Sequence, residues 1–283
     1  MNHSTLVDAR QLAAHANATD WCVVDCRHDL FDYALGRREY DAGHIDGAFF
    51  ADIENDLSGP KTGKNGRHPL PTREKLVDLF RTWGVTNQTQ LIAYDAQGGQ
   101  FAVRLWWLAR WLGHASVALL DGGWQAWVAA QGAVSRATPM RPRGSFEARA
   151  PLVEYVDAAF VRDHLGDPRT IVLDARALER YAGEQEPIDP VAGHIPGAVN
   201  RFWQANLTDG RFKSPTELRA EFDTLLAGRN PADVIHQCGS GVTSCHNLLA
   251  MEIAGLPGTR LYAGSWSEWI ANPANPVARG RTP

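Results

Sequence analysis

The chain has 283 residues, 44% of them hydrophobic, and a formal net charge of −4. That length suits two ordinary domains with separate cores, and the weakly acidic balance offers no basic face for nucleic acid. No apolar run reaches membrane-spanning length, and residues 1–10 carry neither the apolar core nor the basic leader of an export signal. Cysteines 22, 26, 238 and 245 lack CxxC and zinc spacing. These features predict a soluble, cytoplasmic protein with free thiols, small-molecule or protein partners and no metal.

In chain order, the first element is an apolar strand, Trp21 to Asp25, ending in Asp25-Cys26-Arg27, with a Gly43-His44-Ile45-Asp46-Gly47-Ala48 turn after it. Thr72 then caps a helix with apolar residues at helical spacing that runs through Trp83 and stops at Gly84. Leu91 to Tyr94 reads as a strand, followed by the glycine-containing loop Asp95 to Gln100. Trp106, Trp107, Trp111, Trp124 and Trp127 follow helical spacings and read as packing between helix and sheet. Residues 137–151, with three prolines, several arginines and no periodicity, form the natural linker between a domain over 1–136 and another over 152–283.

The second half repeats this order at a nearly constant offset, the mark of an internal duplication. Thr170 to Arg176 matches Trp21 to Arg27, and Gly193-His194-Ile195-Pro196-Gly197-Ala198 matches the first turn. A second capped helix starts at Ser214 with Pro215 in its first position and runs to Leu226. Val234 to Gln237 then matches Leu91 to Tyr94, and Leu261 to Trp266 matches Leu119 to Trp124. Alternating strands and helices imply an α/β fold, with a central parallel sheet covered by helices on both faces in each half. Because Arg27 and Arg176, Asp25 and Asp174, and His44 and His194 recur in both halves, their reading is structural.

One position breaks the repeat. Where the first half has Asp95, the second has Cys238, in the run Cys238-Gly239-Ser240-Gly241-Val242-Thr243 between a strand and a helix-like stretch, Ser244 to Gly255. Glycines allow such a loop to curl its N–H groups around the sulfur, and the helix behind adds its positive end, so the thiolate is favoured and an added sulfur anion is cradled. Cys238 therefore reads as a nucleophile. Strand alternation puts His236 on the same side, as a wall residue rather than a base. Cys245 reads as a core thiol on the following helix, with a regulatory disulfide to Cys238 as the alternative. Trp266 and Trp269 read as apolar walls of cleft or core. A cysteine phosphatase needs an arginine six positions after its nucleophile, where this chain has Ser244. A cysteine hydrolase lacks an assignable histidine beside Cys238.

The ordered set of Asp-x-Arg strands, Gly-His-Ile-x-Gly-Ala turns, the Cys238 to Thr243 loop and Gly264-Ser265-Trp266-Ser267-Glu268-Trp269 resembles the two-domain sulfurtransferases with tandem rhodanese folds. The resemblance runs over nearly the whole chain. It implies a non-catalytic first domain with Asp95 at the cysteine position, which covers the cleft, and a catalytic second domain. It also implies two-step transfer through a Cys238 persulfide stabilised by the loop at Gly239, Gly241, Val242 and Thr243, with no cofactor. Members that prefer thiosulfate carry two basic residues after the cysteine; here Gly239 and Ser240 resemble the 3-mercaptopyruvate sulfurtransferases. By motif position Ser240 acts there with His68 and an acid, Glu54 or alternatively Asp52. Without the family, His68 reads as an exposed loop histidine. Arg180 matches one of two arginines that hold the donor carboxylate. The second falls near Ile188, where no arginine stands, which keeps thiosulfate as the alternative donor and a persulfide carrier module as the non-enzymatic alternative. The implied acceptors are thioredoxin, another dithiol or cyanide.

Overall fold

The computed structural model describes residues 2–15 and 18–283, so Met1 of the stretch 1–10 lies outside the described residues. The chain forms two compact units, one of residues 1–59, 70–152 and 209–212, the other of residues 60–69, 153–208 and 213–283.

The first unit is built on a five-stranded sheet in the spatial order Leu6–Val7, Val117–Leu120, Gln90–Tyr94, Trp21–Asp25, Phe49–Phe50, parallel throughout. The second unit repeats that order with Glu154–Val156, Arg260–Tyr262, Val234–Gln237, Ile171–Asp174 and Val199–Asn200, again all parallel. Parallel sheets are buried on both faces, which is why the inner strands read as continuous apolar runs rather than alternating ones. Every residue of Gln90–Tyr94 and Val234–Gln237 is buried. The α/β architecture expected from the repeat is therefore present in each half.

Local chemistry sets the helix ends. Thr72 accepts the Lys75 N–H at 3.2 Å to start Arg73–Thr82, and Gly84, at φ +75°, takes the left-handed conformation that ends it. Ser214 and Glu217 form a reciprocal capping box at the start of Pro215–Leu226. Helix Ala102–Trp111 is buried all round from Ala102 to Ala109, and Trp106 and Trp107 are among the largest enclosed side chains. Residues 137–151 carry neither helix nor strand; within them Phe146 is fully buried and its N–H donates to Val85 O at 3.1 Å. Among the described residues no helix is long and apolar enough to cross a membrane.

The duplicated arginines hold each unit together in the same way. Arg27 forks onto Asp25 at 2.7 Å, donates to Gly43 O at 2.7 Å and lies 4.7 Å over the Trp124 ring. Arg176 pairs with Asp174 at 2.7 Å, donates to Gly193 O at 2.7 Å and lies 4.8 Å over Trp266. His44 stacks on Tyr40 and His194 on Tyr181, each with Nδ1 at 2.8 Å from its partner's carbonyl. Each set ties the strand end to the turn that follows it. Asp25 is fully buried and Arg27 is 3% exposed, so Asp25→Ala strands a buried guanidinium. We expect that variant to lose roughly 3–5 kcal/mol in urea unfolding; a loss below about 1 kcal/mol, the range of exposed pairs, would refute the structural role.

Candidate active site

Cys238 stands at the carboxyl end of the central strand Val234–Gln237 and is 2% exposed. That is the edge of an open parallel sheet where a strand-to-helix loop leaves room for a ligand. Its sulfur accepts the Gly241 N–H at 3.2 Å, and helix Ser244–Ile253 begins just behind the loop. Gly241 has φ +79°, and a β-carbon there would collide with the Ala263 carbonyl oxygen, so only glycine fits. Val242 and Thr243 close the loop, their carbonyls accepting the N–H groups of Cys245 at 3.1 Å and His246 at 3.0 Å.

The Gly264 to Trp269 run braces this loop from the side. Ser265 Oγ accepts the Cys238 N–H at 3.1 Å and donates to Tyr262 O at 2.9 Å. The N–H groups of Trp266 and Ser267 donate to the carbonyls of Cys238 and Gly239, each at 3.0 Å. Ser265 holds φ +54°, a left-handed conformation costly for a residue with a β-carbon. Trp266 and Trp269 are fully buried and belong to the core of the second unit. On its apolar side Cys238 packs with Ala175 and Trp203, flanked by Phe202 and Leu207.

Of the residues singled out in the sequence, the second unit gathers Cys238, Gly239, Ser240, Gly241, His68 and Arg180. His68 comes from the segment 60–69, which belongs to this unit, and is buried rather than exposed; its Nδ1 lies 2.7 Å from Ser240 Oγ. Arg180 is held by Glu186, with Nη2 at 2.8 Å from Oε1, and by Asp189 Oδ2 at 3.1 Å. Glu54 and Asp52 belong to the first unit, where Asp52 Oδ1 accepts the N–H groups of Glu54 and Asn55, each at 2.8 Å. Asp52 thus organises its own turn, and Glu54 is half-buried.

Sequence reasoning passed over Arg67, Asp189 and Ser265. Arg67 pairs with Asp189 Oδ1, and its backbone N–H donates to Ser267 Oγ at 3.0 Å. A β-carbon on Gly239 would stand 2.8 Å from Arg67 Nη2 and 3.5 Å from Arg180 Nη2. Two guanidinium groups therefore lie against the residue that follows Cys238. Burial, with Glu186 nearby, pushes the Asp189 carboxyl up against the pull of Arg67, Arg180 and Arg176. The sequence cues are the adjacency of Arg67 to His68 and, for Ser265, its alignment in the repeat with Gly123.

The first unit shows what this type of loop binds. Asp95 accepts the N–H groups of Gln97 and Gly99 at 2.9 Å on one carboxyl oxygen and those of Phe101 at 2.8 Å and Ala102 at 3.0 Å on the other. Burial pushes this carboxyl up, and the four N–H groups pull it back down. The loop there is an anion cradle filled by its own side chain. In the second unit a sulfur that can be extended by a further sulfur occupies the corresponding place.

His236 is fully buried two residues before Cys238, and neither ring nitrogen has a hydrogen-bond partner. Burial pushes its pKa down to about 3. It stays neutral and is a wall residue, not a base at neutral pH. Cys245 is buried, its sulfur 3.5 Å from Gly241 O.

A family model described as rhodanese-like domain matches residues 8–130 and 157–272. A Pseudomonas aeruginosa protein named "Probable 3-mercaptopyruvate sulfurtransferase" is 48% identical over 283 residues, covering 99% of this chain and 100% of that one. A mouse thiosulfate sulfurtransferase is 36% identical over 257 residues, covering 87% of this chain and 84% of its own. Among solved structures, the 3-mercaptopyruvate sulfotransferase SseA of Escherichia coli aligns with a TM-score of 0.79 at 31% identity, covering 93% of this chain and 99% of that one.

The His236 environment gives a pH test. An unfolded histidine takes a proton below about 6.5, whereas the folded one does not until about 3. The unfolded state binds more protons in that window, so stability present above pH 6.5 is lost as pH falls toward 3. Between pH 7 and pH 5 we expect the native chain to lose roughly 1–2 kcal/mol more than a His236→Leu variant in urea unfolding. Equal losses would mean that His236 is charged in the folded state.

Proposed function

The chain belongs to the rhodanese-like family and is a sulfurtransferase, and from that premise we propose that it takes its sulfur from 3-mercaptopyruvate through a Cys238 persulfide. The observation that carries this reading is the clustering on one loop of a sulfur that accepts a backbone N–H, a hydroxyl bonded to a buried histidine, and two guanidinium groups.

In the first step the Cys238 thiolate attacks the donor's sulfur. The carbon–sulfur bond breaks and its electron pair passes into the carbonyl group, giving the enolate of pyruvate and a protonated persulfide. The enolate carbon then takes up that proton, leaving pyruvate and the persulfide anion. Ser240, bonded to His68, donates to the carbonyl oxygen as negative charge grows there. The outer sulfur of the persulfide anion sits among the loop N–H groups, as the Asp95 carboxylate does in the first unit. In the second step a thiol or cyanide attacks the outer sulfur and frees the Cys238 thiolate, which gives ping-pong kinetics. Thioredoxin, another dithiol and cyanide are the acceptors we propose. We read Glu54 as the acid that supports His68, and the first half, with Asp95, as the non-catalytic domain. Four free, buried thiols suit a reducing compartment, and we assign the protein to the cytoplasm.

A second reading, thiosulfate as donor with the same nucleophile, is favoured by Ile188, because the loop before the Gly193 turn offers no second arginine. The discriminating experiment gives the enzyme each donor with cyanide and compares kcat/KM for thiocyanate formation. We expect 3-mercaptopyruvate to win; a preference for thiosulfate selects the second reading, and turnover of neither selects a carrier module. Cys238→Ser should abolish transfer from both donors. Ser240→Ala and His68→Ala should each lower kcat for 3-mercaptopyruvate about 100-fold or more, with a much smaller loss on thiosulfate. Equal losses on both donors would remove Ser240 and His68 from carbonyl polarisation.

A further inference from the structure

3-Mercaptopyruvate presents three features in a row: a carboxylate, a carbonyl, and a methylene carrying the sulfur. A site that attacks the sulfur must therefore seat a carboxylate only a few ångströms away. Three consecutive loop residues meet these features. Cys238 carries the attacking sulfur, Ser240 with His68 supplies the polar group for the carbonyl, and beside Gly239 stand two guanidinium groups. Arg67 Nη2 is the nearer, at 2.8 Å from a β-carbon built at 239, against 3.5 Å and 3.7 Å for Arg180 Nη2 and Nη1.

Both arginines are fixed through one carboxylate. Asp189 takes Arg67 on Oδ1 and Arg180 on Oδ2, while Glu186 accepts from Arg180 Nε and Nη2 and from Arg176 Nη1. The side chains of Asp189 and Glu186 are each 3% exposed, whereas those of Arg67 and Arg180 are 25% and 17% exposed. The anions are thus covered and the cations reach the open side, so the face presented to the loop is positive.

Resting on the 3-mercaptopyruvate reading, we propose that Arg67 is the second cation of the donor's carboxylate seat, paired with Arg180, and that Asp189 is the positioning residue that aims both. Two guanidinium groups beside Gly239, Arg180 turning its Nη1 and Arg67 its Nη2 toward that residue, suit a carboxylate, and the position near Ile188 needs no arginine because the segment 60–69 supplies one.

The test measures KM and kcat for 3-mercaptopyruvate and, separately, the affinity for pyruvate by calorimetry. The variants are Arg67→Gln, Arg67→Lys, Asp189→Ala and Arg67→Gln with Asp189→Ala, each checked for an unchanged urea midpoint. Loss of one charge-assisted contact predicts that Arg67→Gln raises KM about tenfold to 100-fold with kcat within about threefold, and weakens pyruvate by a similar factor. Arg67→Lys, which keeps the charge and the pairing with Asp189, should recover part of the loss. Asp189→Ala should raise KM, and the double variant should be less than additive. Unchanged KM and pyruvate affinity in Arg67→Gln would overturn the assignment, and full additivity would remove Asp189 as the clamp. If the native enzyme turns over 3-mercaptopyruvate poorly yet binds pyruvate through Arg67, the seat stands and the donor reading fails.

Discussion

The structure turns on backbone N–H groups that converge on one anion at the carboxyl end of a central parallel strand. In the first unit the anion is built in: the Asp95 carboxylate takes four loop N–H groups. In the second unit the chain puts a cysteine there, and one such group already reaches its sulfur. A fixed aspartate leaves no room for chemistry, whereas a sulfur can accept, carry and yield another sulfur within the same set of dipoles. At the end of the central strand the two units thus differ by one side chain, a carboxylate in the first and a thiol in the second.

Holding that loop requires rigid neighbours, and the fold supplies them through buried polar contacts rather than bulk alone. Ser265 fixes the Cys238 N–H at the expense of a left-handed backbone, and Trp266 and Ser267 tie down the carbonyls of Cys238 and Gly239. The Arg176 pair with Asp174 anchors the neighbouring strand end, and Glu186 joins it to Arg180. A structural ion pair therefore runs directly into the side chains beside the loop. The same Asp-x-Arg pair recurs in both halves, and in the second Glu186 extends it to Arg180, which Asp189 also holds.

Much of this was legible in the sequence because it rests on local spacing. The Thr72 and Ser214 caps, the apolar parallel strands and the Asp95 to Cys238 exchange each depend on a few adjacent residues, and each lies where spacing put it. What escaped depends on distant segments packing together. His68 read by itself as an exposed loop residue, yet it is buried against Ser240 because residues 60–69 join the second unit. Arg67 is hidden for the same reason: position along the chain points to Ile188, whereas the arginine comes from a distant segment. Asp189, one residue further, carries no local sign of the two arginines it pairs with. Ser265 shows nothing by its residue type, and its one cue is the repeat, which aligns it with Gly123, a residue that takes the same positive φ.

The most direct test of the central claim is to treat the protein with a small excess of 3-mercaptopyruvate, without acceptor, and map the added mass on proteolytic peptides. Fragmentation of the peptide that carries both Cys238 and Cys245 is predicted to place one extra sulfur atom, removed by cyanide, on Cys238 and none on Cys245, with none on Cys22 or Cys26. An extra sulfur on Cys245 with Cys238 unmodified, or pyruvate released with no protein-bound sulfur, would contradict it.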